Sequence, residues 1–426
     1  MLTRNQLIIL GIAGFVVLFF ILGLLGIIPI FTSTGPGSQS NVQTTLNVWG
    51  IDDSGAMRNV FDAYSQISPN TVIKYQQFDP KNYENVLINA LATGTGPDVF
   101  MFHRSWLPKH GDKIVPAPDT LFSLYNLRQL FPDVIEKDFV SNQKVYALPL
   151  YLDSLALFYN KDIFNAKGIA LTPTTWDDFK NIIPALTEFD FSHNIKKSAA
   201  AIGGSNQSIA NASDILSLLM LQNNPQFVDY VNHKEVFGDQ ALQALNFYIQ
   251  FADPTSATYT WSDNFGNSTD AFASGDVAMI FDYAGDIQNL KQKNPYLNFA
   301  VSTMPQVDAN NPVNYADYWG LAVSKQSRSP QTAWSFIISL TTNPQLSSVY
   351  LKNTNSTPAL RTLINQYLTD PNLNVFAKQA LTAKSVYQTD AQSFSQSFSN
   401  MIESVLSGKL DPQKALRQAA VEINGQ

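Results

Sequence analysis

Cysteine is absent from this chain of 426 residues. Its absence excludes a disulfide framework, a thiolate metal site and a lipid-acylated N-terminal cysteine. Charge is also scarce. Asp, Glu, Lys and Arg supply 14% of the sequence, below the usual share of about a quarter. The net charge is −7 and no basic run is longer than Lys196-Lys197, which argues against a phosphate-neutralising nucleic-acid surface. His103 has no second His or Cys at ligand spacing, so no metal is expected, and no cofactor motif is present. The stretch Gly203-Gly204-Ser205-Asn206-Gln207-Ser208 is Gly-rich but lacks the Lys and the spacing of a phosphate loop. It reads instead as a mobile loop at a cleft edge. No internal repeat is found.

Asn, Gln, Ser and Thr fill the gap left by charge, and aromatics are plentiful, with 17 Tyr, 28 Phe and 6 Trp. A polar but mostly neutral surface suits recognition through hydrogen bonds. Residues 7–31 carry no charged side chain. As a helix rising about 1.5 Å per residue they span roughly 37 Å, enough to cross a hydrocarbon core. Arg4 precedes them, so residues 1–6 are expected as a cytoplasmic stub, 7–31 as a transmembrane anchor, and everything beyond as extracytoplasmic. The segment exceeds the apolar region of a cleaved signal. Residues 32–45 are Gly, Ser, Thr and Gln with little apolar content and read as a flexible linker. The folded part begins at Leu46 and is too long for a single core, so two domains are expected.

Leu46-Asn47-Val48-Trp49 reads as a strand, followed by a turn and a helix with Val60, Phe61 and Tyr64 on one stripe. Thr71 to Phe78 returns as a strand, and Tyr83 to Thr93 is an amphipathic helix ended by Gly94. Val99-Phe100-Met101-Phe102 is an apolar run of the buried, parallel-sheet kind. This alternation is that of an open α/β sheet. Further helical stripes run over 176–186, 214–222, 239–251 and 332–340, and from Ser393 to Ile423 with a break near Gly408. Ligands bind beyond the carboxyl ends of strands in such sheets. The loops after Trp49 and Phe102 are therefore the first places to look for function.

Six segments in order resemble the extracellular solute-binding proteins of ABC importers, family 1, the maltose-binding-protein-like sugar binders. They are Thr95-Gly96-Pro97-Asp98-Val99; Tyr146-Ala147-Leu148-Pro149 with Leu157 to Asp162; Thr172 to Phe179; Ala271 to Met279; Trp319 to Lys325; and Ala333-Trp334-Ser335-Phe336. The resemblance implies a two-lobe periplasmic-binding-protein-like α/β fold with hinge crossings and ligand in the cleft. It places the crossings near 149–155, 303–308 and 341–346. One lobe is then 46–151 plus 305–343, and the other 152–304 plus 344–426. The implied partners are a sugar or oligosaccharide and the ABC permease subunits, with the membrane reached through the N-terminal helix.

The resemblance places a ligand-binding carboxylate at Asp153, beside Tyr151 in the crossing segment. A carboxylate there can accept two bonds from adjacent hydroxyls. Trp319, with Tyr318 before it, is expected to stack on a pyranose face while Gly320 lets backbone approach; an inter-strand core Trp is the alternative. Phe102, His103, Arg104 and Trp106 follow the third strand, where the family often supplies an aromatic and polar contacts. Asp282 and Tyr283 end a strand that often carries an aromatic into the cleft. Ser205 and Asn206 sit on the Gly-rich loop. Asp52 and Asp53 bind ligand or cap the first helix, and capping accounts for one of them. Trp49, Trp176 and Trp334 are assigned to packing. No catalytic role is expected. The rival reading is an anchored glycoside hydrolase using Asp153 and Asp282, or the same fold binding a non-sugar solute.

Overall fold

A computed structural model describes residues 43–223 and 237–424, together with the backbone of the short pair Val228–Asp229 and Lys234–Glu235. The expected stub, the spanning segment 7–31 and the linker up to residue 42 lie outside the described residues. Among the described residues, no helix is long and apolar enough to cross a membrane.

The first lobe grows from alternation and caps. Strand Thr44–Gly50 buries Leu46 and Val48 on one face. Helix Ser54–Ile67 follows because the Asp53 carboxylate accepts from the N–H groups of Gly55 and Ala56, both at 2.9 Å, and Met57, Val60 and Tyr64 form its buried stripe. Helix Pro80–Thr93 starts at the Asp79 cap and ends at Gly94, whose φ of 74° is the left-handed geometry glycine tolerates. Strand Val99–His103 buries its first four residues and pairs in parallel with Thr44–Gly50. The sheet runs in the order Thr71–Gln77, Thr44–Gly50, Val99–His103, Trp319–Ser324, Ile114–Val115, and Ala147–Pro149 also pairs with Trp319–Ser324. Gly320 is required there, because a Cβ would lie 2.5 Å from the Leu148 carbonyl. The close approach that needs a glycine is thus to a neighbouring strand.

The second lobe is built on the sheet Glu188–Phe189, Ile195–Ala200, Val277–Asp282, Ala156–Asn160, Phe299–Ser302. Helix Trp176–Leu186 enters through a capping box between Thr175 and Asp178. The C-terminal stretch forms two helices, Ala391–Leu406 and Pro412–Asn424, and Gly408 at φ 71° lies between them.

Two hydrophobic cores follow from these layers. The first takes residues from Leu46 to Leu152, from Ala316 to Ile364 and Ala383; the second takes residues from Leu155 to Tyr315 and from Val386 to Ile423. Helix Asn374–Ala380 feeds both, with Phe376 in the second and Ala377 and Ala380 in the first. The chain crosses between Leu152 and Leu155, between Tyr315 and Ala316, and finally between Ala383 and Val386, Phe376 having touched the second core before Ala377, Ala380 and Ala383 return to the first. The last two crossings come later than the sequence reading placed them. Gln306 stays with the second lobe because its backbone pairs with Thr174 and Trp176. Helix Pro344–Thr354 stays with the first because it packs on Ser54–Ile67. Between the cores lies a small sheet of Ala383–Lys384, Asn314–Asp317 and Asp153–Ser154.

Candidate functional site

The small sheet sets the geometry. Its antiparallel register puts Asp153 opposite Asp317, so two carboxylates meet where the chain passes from lobe to lobe. Asp153 is buried; its carboxylate accepts from the N–H of Ser154 at 2.8 Å and from Gly285 of the second lobe at 3.2 Å. Burial, with the Asp317 charge adding to it, outweighs these bonds and raises its pKa from 3.8 to about 7. Asp317 keeps 35% of its side-chain surface open. It receives His103 Nε2 at 2.9 Å and Arg104 Nε at 3.0 Å. Burial pushes this carboxyl up, but His103 and Arg104 together hold it below the usual range.

Aromatic rings line the first-lobe side. Trp319, half-buried, begins the strand that pairs with Val99–His103, and its register partner is His103. Its ring lies 5.0 Å from those of His103 and Trp106 and 5.9 Å from Tyr83, in tilted and edge-on contacts. Tyr151, half-buried, feels the charges of Asp52, Asp317 and Asp153 together, which ties the loop after the first strand to the crossing segment. The Asp52 carboxylate accepts from Tyr350 Oη at 3.0 Å, and burial lifts its pKa to about 6 against that bond.

The second lobe offers polar groups. Tyr283 donates to Asp214 at 2.7 Å. Asp214 is raised to about 6, first by burial and then by Asp317. The N–H of Gly285 on the same loop reaches Asp153. Asp52, His103, Tyr151, Asp153, Asp214, Tyr283, Asp317 and Trp319 thus form one constellation where the lobes meet. Carboxylates in this number accept hydroxyl hydrogens, and the partly open rings can cover an apolar sugar face.

Other residues expected at the site do different work. Phe102 and Tyr318 are fully buried in the first core, and Tyr318 donates to Asp138 at 2.6 Å. Strand alternation explains both: each neighbours a residue that faces the cleft, so it points to the core. Trp106 is 6% exposed and backs Trp319 from behind. Arg104 is 3% exposed and spans the lobes, donating to Tyr315 Oη at 2.7 Å besides Asp317. Asp53 is spent on its helix cap. Asp282 is buried, accepts from Asn211 Nδ2 and the Tyr283 N–H, and shapes the loop that presents Tyr283. Ser205 is buried, and Asn206 donates to Ser213 and Ser395, fixing the Gly-rich loop to the helices Ala212–Asn223 and Ala391–Leu406. Trp176 and Trp334 are buried, as packing residues are; Trp49 is half-buried, 4.5 Å from the ring of Phe78.

Sequence reading missed Asp214, Asp317 and Tyr350. Asp317 carried a usable signal: it stands two residues before Trp319 and so shares its side of the chain. Asp214 and Tyr350 carried none. Among the described residues no group of three His, Asp or Glu is placed to hold a metal.

Comparison with known proteins gives a consistent result. The pattern of one family, bacterial extracellular solute-binding protein, matches residues 50–346. A galactooligosaccharide-binding protein of Bacillus subtilis is 24% identical over 418 residues, covering 92% of this chain and 93% of that protein. Among solved structures, the cyclic alpha-maltosyl-1,6-maltose binding protein of Arthrobacter globiformis superposes with a TM-score of 0.75 at 18% identity, over 90% of this chain and 98% of that one. The sugar-binding protein MalE of Xanthomonas citri gives 0.73 at 18% identity, over 90% and 97%. At these identities the structures speak for the fold.

Proposed function

The chain belongs to the bacterial extracellular solute-binding protein family, and from that premise we propose that it captures a neutral sugar or oligosaccharide in the cleft between its lobes. It is a binding protein and not an enzyme, as its family is. The observation that carries the ligand reading is the crossing-point constellation: Asp153 opposite Asp317, flanked by the half-buried rings of Trp319, Tyr151 and Tyr283. Rings stack on the C–H face of a pyranose and carboxylates take its hydroxyls. The named ligands of the galactooligosaccharide binder and the Arthrobacter protein point to the same class.

In this reading the lobes close by a hinge motion at the three crossings. The closed form is delivered to the membrane subunits of an ABC importer. Residues 7–31 tether the protein to the membrane and leave the lobes outside. A thermal-shift screen against neutral mono- and oligosaccharides tests the ligand. A concentration-dependent rise in melting temperature with at least one of them is expected, and no response across the whole set contradicts the reading. Fractionation tests the tether: the full chain partitions with membranes, and a chain starting at residue 43 does not.

A further inference from the structure

A second groove lies between the lobes, apart from the constellation just described. It has a volume of ≈ 650 Å³, within the range of about 300–1,000 Å³ typical of small-molecule sites. One wall is the first-lobe segment from Arg104 to Pro108 with the helix Asp133–Phe139 and the residues Val140 and Ser141. The other is the segment Val386-Tyr387-Gln388, which leads into the second-lobe helix Ala391–Leu406. Of the cleft residues discussed above, only Arg104 touches it; Asp52, Tyr151, Asp153, Asp214, Tyr283 and Trp319 do not line it.

Gln388 is 6% exposed, lines this groove, and has no hydrogen-bond partner among the described residues. Most of the side chain is covered, but the amide itself still reaches the solvent of the groove, since among the described residues the sealed and unpaired side-chain atoms are those of His110, Ser217 and Trp334. An amide with no protein partner, held in place and open to the groove, can exchange water for the hydroxyls of a bound molecule. The other titratable groups of the wall are already engaged. Asp133 pairs with Arg361, Glu136 with Arg128, Asp138 with Tyr318 and Ser385, and Arg104 with Asp317. Lys137 and Tyr387 also line the groove and are not free, so no charged group of the wall is left unpaired to select an ion. Leu107, Pro108 and Val140 supply apolar surface on the opposite wall, and Val386 adds to it beside the amide.

We infer that this groove is a second small-molecule site, which takes a neutral hexopyranose-sized polyol through the Gln388 amide. Adjacent hydroxyls satisfy the donor and the acceptor of the amide at once. The C–H face of the ring covers the apolar wall. Both lobes contribute, so an occupant ties Val386–Gln388 to the helix Asp133–Phe139 and resists their separation.

The test uses the full-length chain and three probes, D-glucose, D-galactose and D-mannose, titrated by calorimetry and ligand-observed NMR. The cleft is first disabled with Asp153→Ala and Trp319→Ala together. That double variant is expected to keep one weak saturable site for at least one of the three hexoses. Adding Val140→Trp, which fills the groove, should abolish it, and adding Gln388→Leu should weaken it roughly tenfold. Thermal melts confirm that each variant is folded; if the tryptophan variant is not, Gln388→Leu decides. The proposal is overturned if the cleft-disabled protein binds none of the hexoses saturably, or if binding there is indifferent to the groove substitutions. Loss of oligosaccharide binding in the cleft, by contrast, bears only on the primary site.

Discussion

On the first lobe, a run of rings reaches from the half-buried Trp49 to the half-buried Trp319, through the buried Tyr83 and against the buried Trp106. Trp49 lies 4.5 Å from Phe78, Phe78 5.8 Å from Tyr83, Tyr83 5.9 Å from Trp319, and Trp319 5.0 Å from both Trp106 and His103. On the second lobe, the cleft meets a hydroxyl–carboxylate pair, Tyr283 on Asp214, and a loop whose N–H groups hold Asp153. The first wall is backed by rings, each wedged by the next, and Trp319 presents the partly open one beside His103. The second is polar, and burial there raises the pKa of Asp214 to about 6 and that of Asp153, which its Gly285 N–H holds, to about 7. The difference assigns the lobes distinct tasks in the proposed capture. One provides shape and stacking, and the other closes hydrogen bonds around what has been stacked.

The sharpest way to break this division is at Asp153, the group that serves both lobes. Asp153→Ala removes a carboxylate from the proposed site and leaves the Gly285 N–H without its acceptor. Sugar affinity should fall roughly 10- to 150-fold, measured by calorimetry. Retained affinity would place the ligand elsewhere.

The next effect is in pH. Asp52, Asp153 and Asp214 rise from 3.8 to about 6, 7 and 6 on folding. The folded chain therefore holds these protons more tightly than the unfolded one. Their contribution to stability is fully present below about pH 3.8 and is lost as pH climbs through the folded values. Asp317, depressed instead, contributes above its unfolded value and loses that contribution on acidification. Ligand-free Asp52→Asn should accordingly show a flatter decline in melting temperature than wild type between pH 4 and 7. A parallel decline would show that Asp52 is not one of the groups responsible.

A smaller effect separates the cleft from the core behind it. Tyr318→Phe deletes the bond to Asp138 and should cost about 1 kcal/mol of stability by denaturant titration while leaving sugar affinity unchanged. A change in affinity at constant stability would return Tyr318 to the ligand. The smallest expected effect is none: a chain beginning at residue 43 should bind as the full chain does.

Much of the fold was legible because local rules and tertiary needs agree. Strand Val99–His103, helix Trp176–Leu186 with its Thr175 cap, and the break at Gly408 all follow from patterns of a few residues. The crossings after Tyr315 and Ala383 did not, because a chain changes lobes without any local signature. What holds Gln306 to the second lobe is backbone pairing with residues some 130 positions earlier. The site was half legible. Loops after strands gave the neighbourhood, but single-residue choices there turn on alternation. Reading Phe102 with His103, or Tyr318 with Trp319, as joint contacts overlooks that successive strand residues face opposite ways. Asp214 stood at a helix start where carboxylates are routine, and Tyr350 lies in a helix of the other segment of its lobe. Neither has a sequence neighbour that announces the cleft.

The most direct test takes one residue from each wall. Affinity for an oligosaccharide found in the thermal-shift screen is measured by calorimetry for wild type, Trp319→Ala and Tyr283→Ala, with a thermal melt of each. The account predicts that both variants stay folded and both bind more weakly, Trp319→Ala by roughly 3- to 30-fold through the lost stacked face. Undiminished binding in either folded variant would mean that the ligand touches one wall alone, and would contradict capture between the lobes.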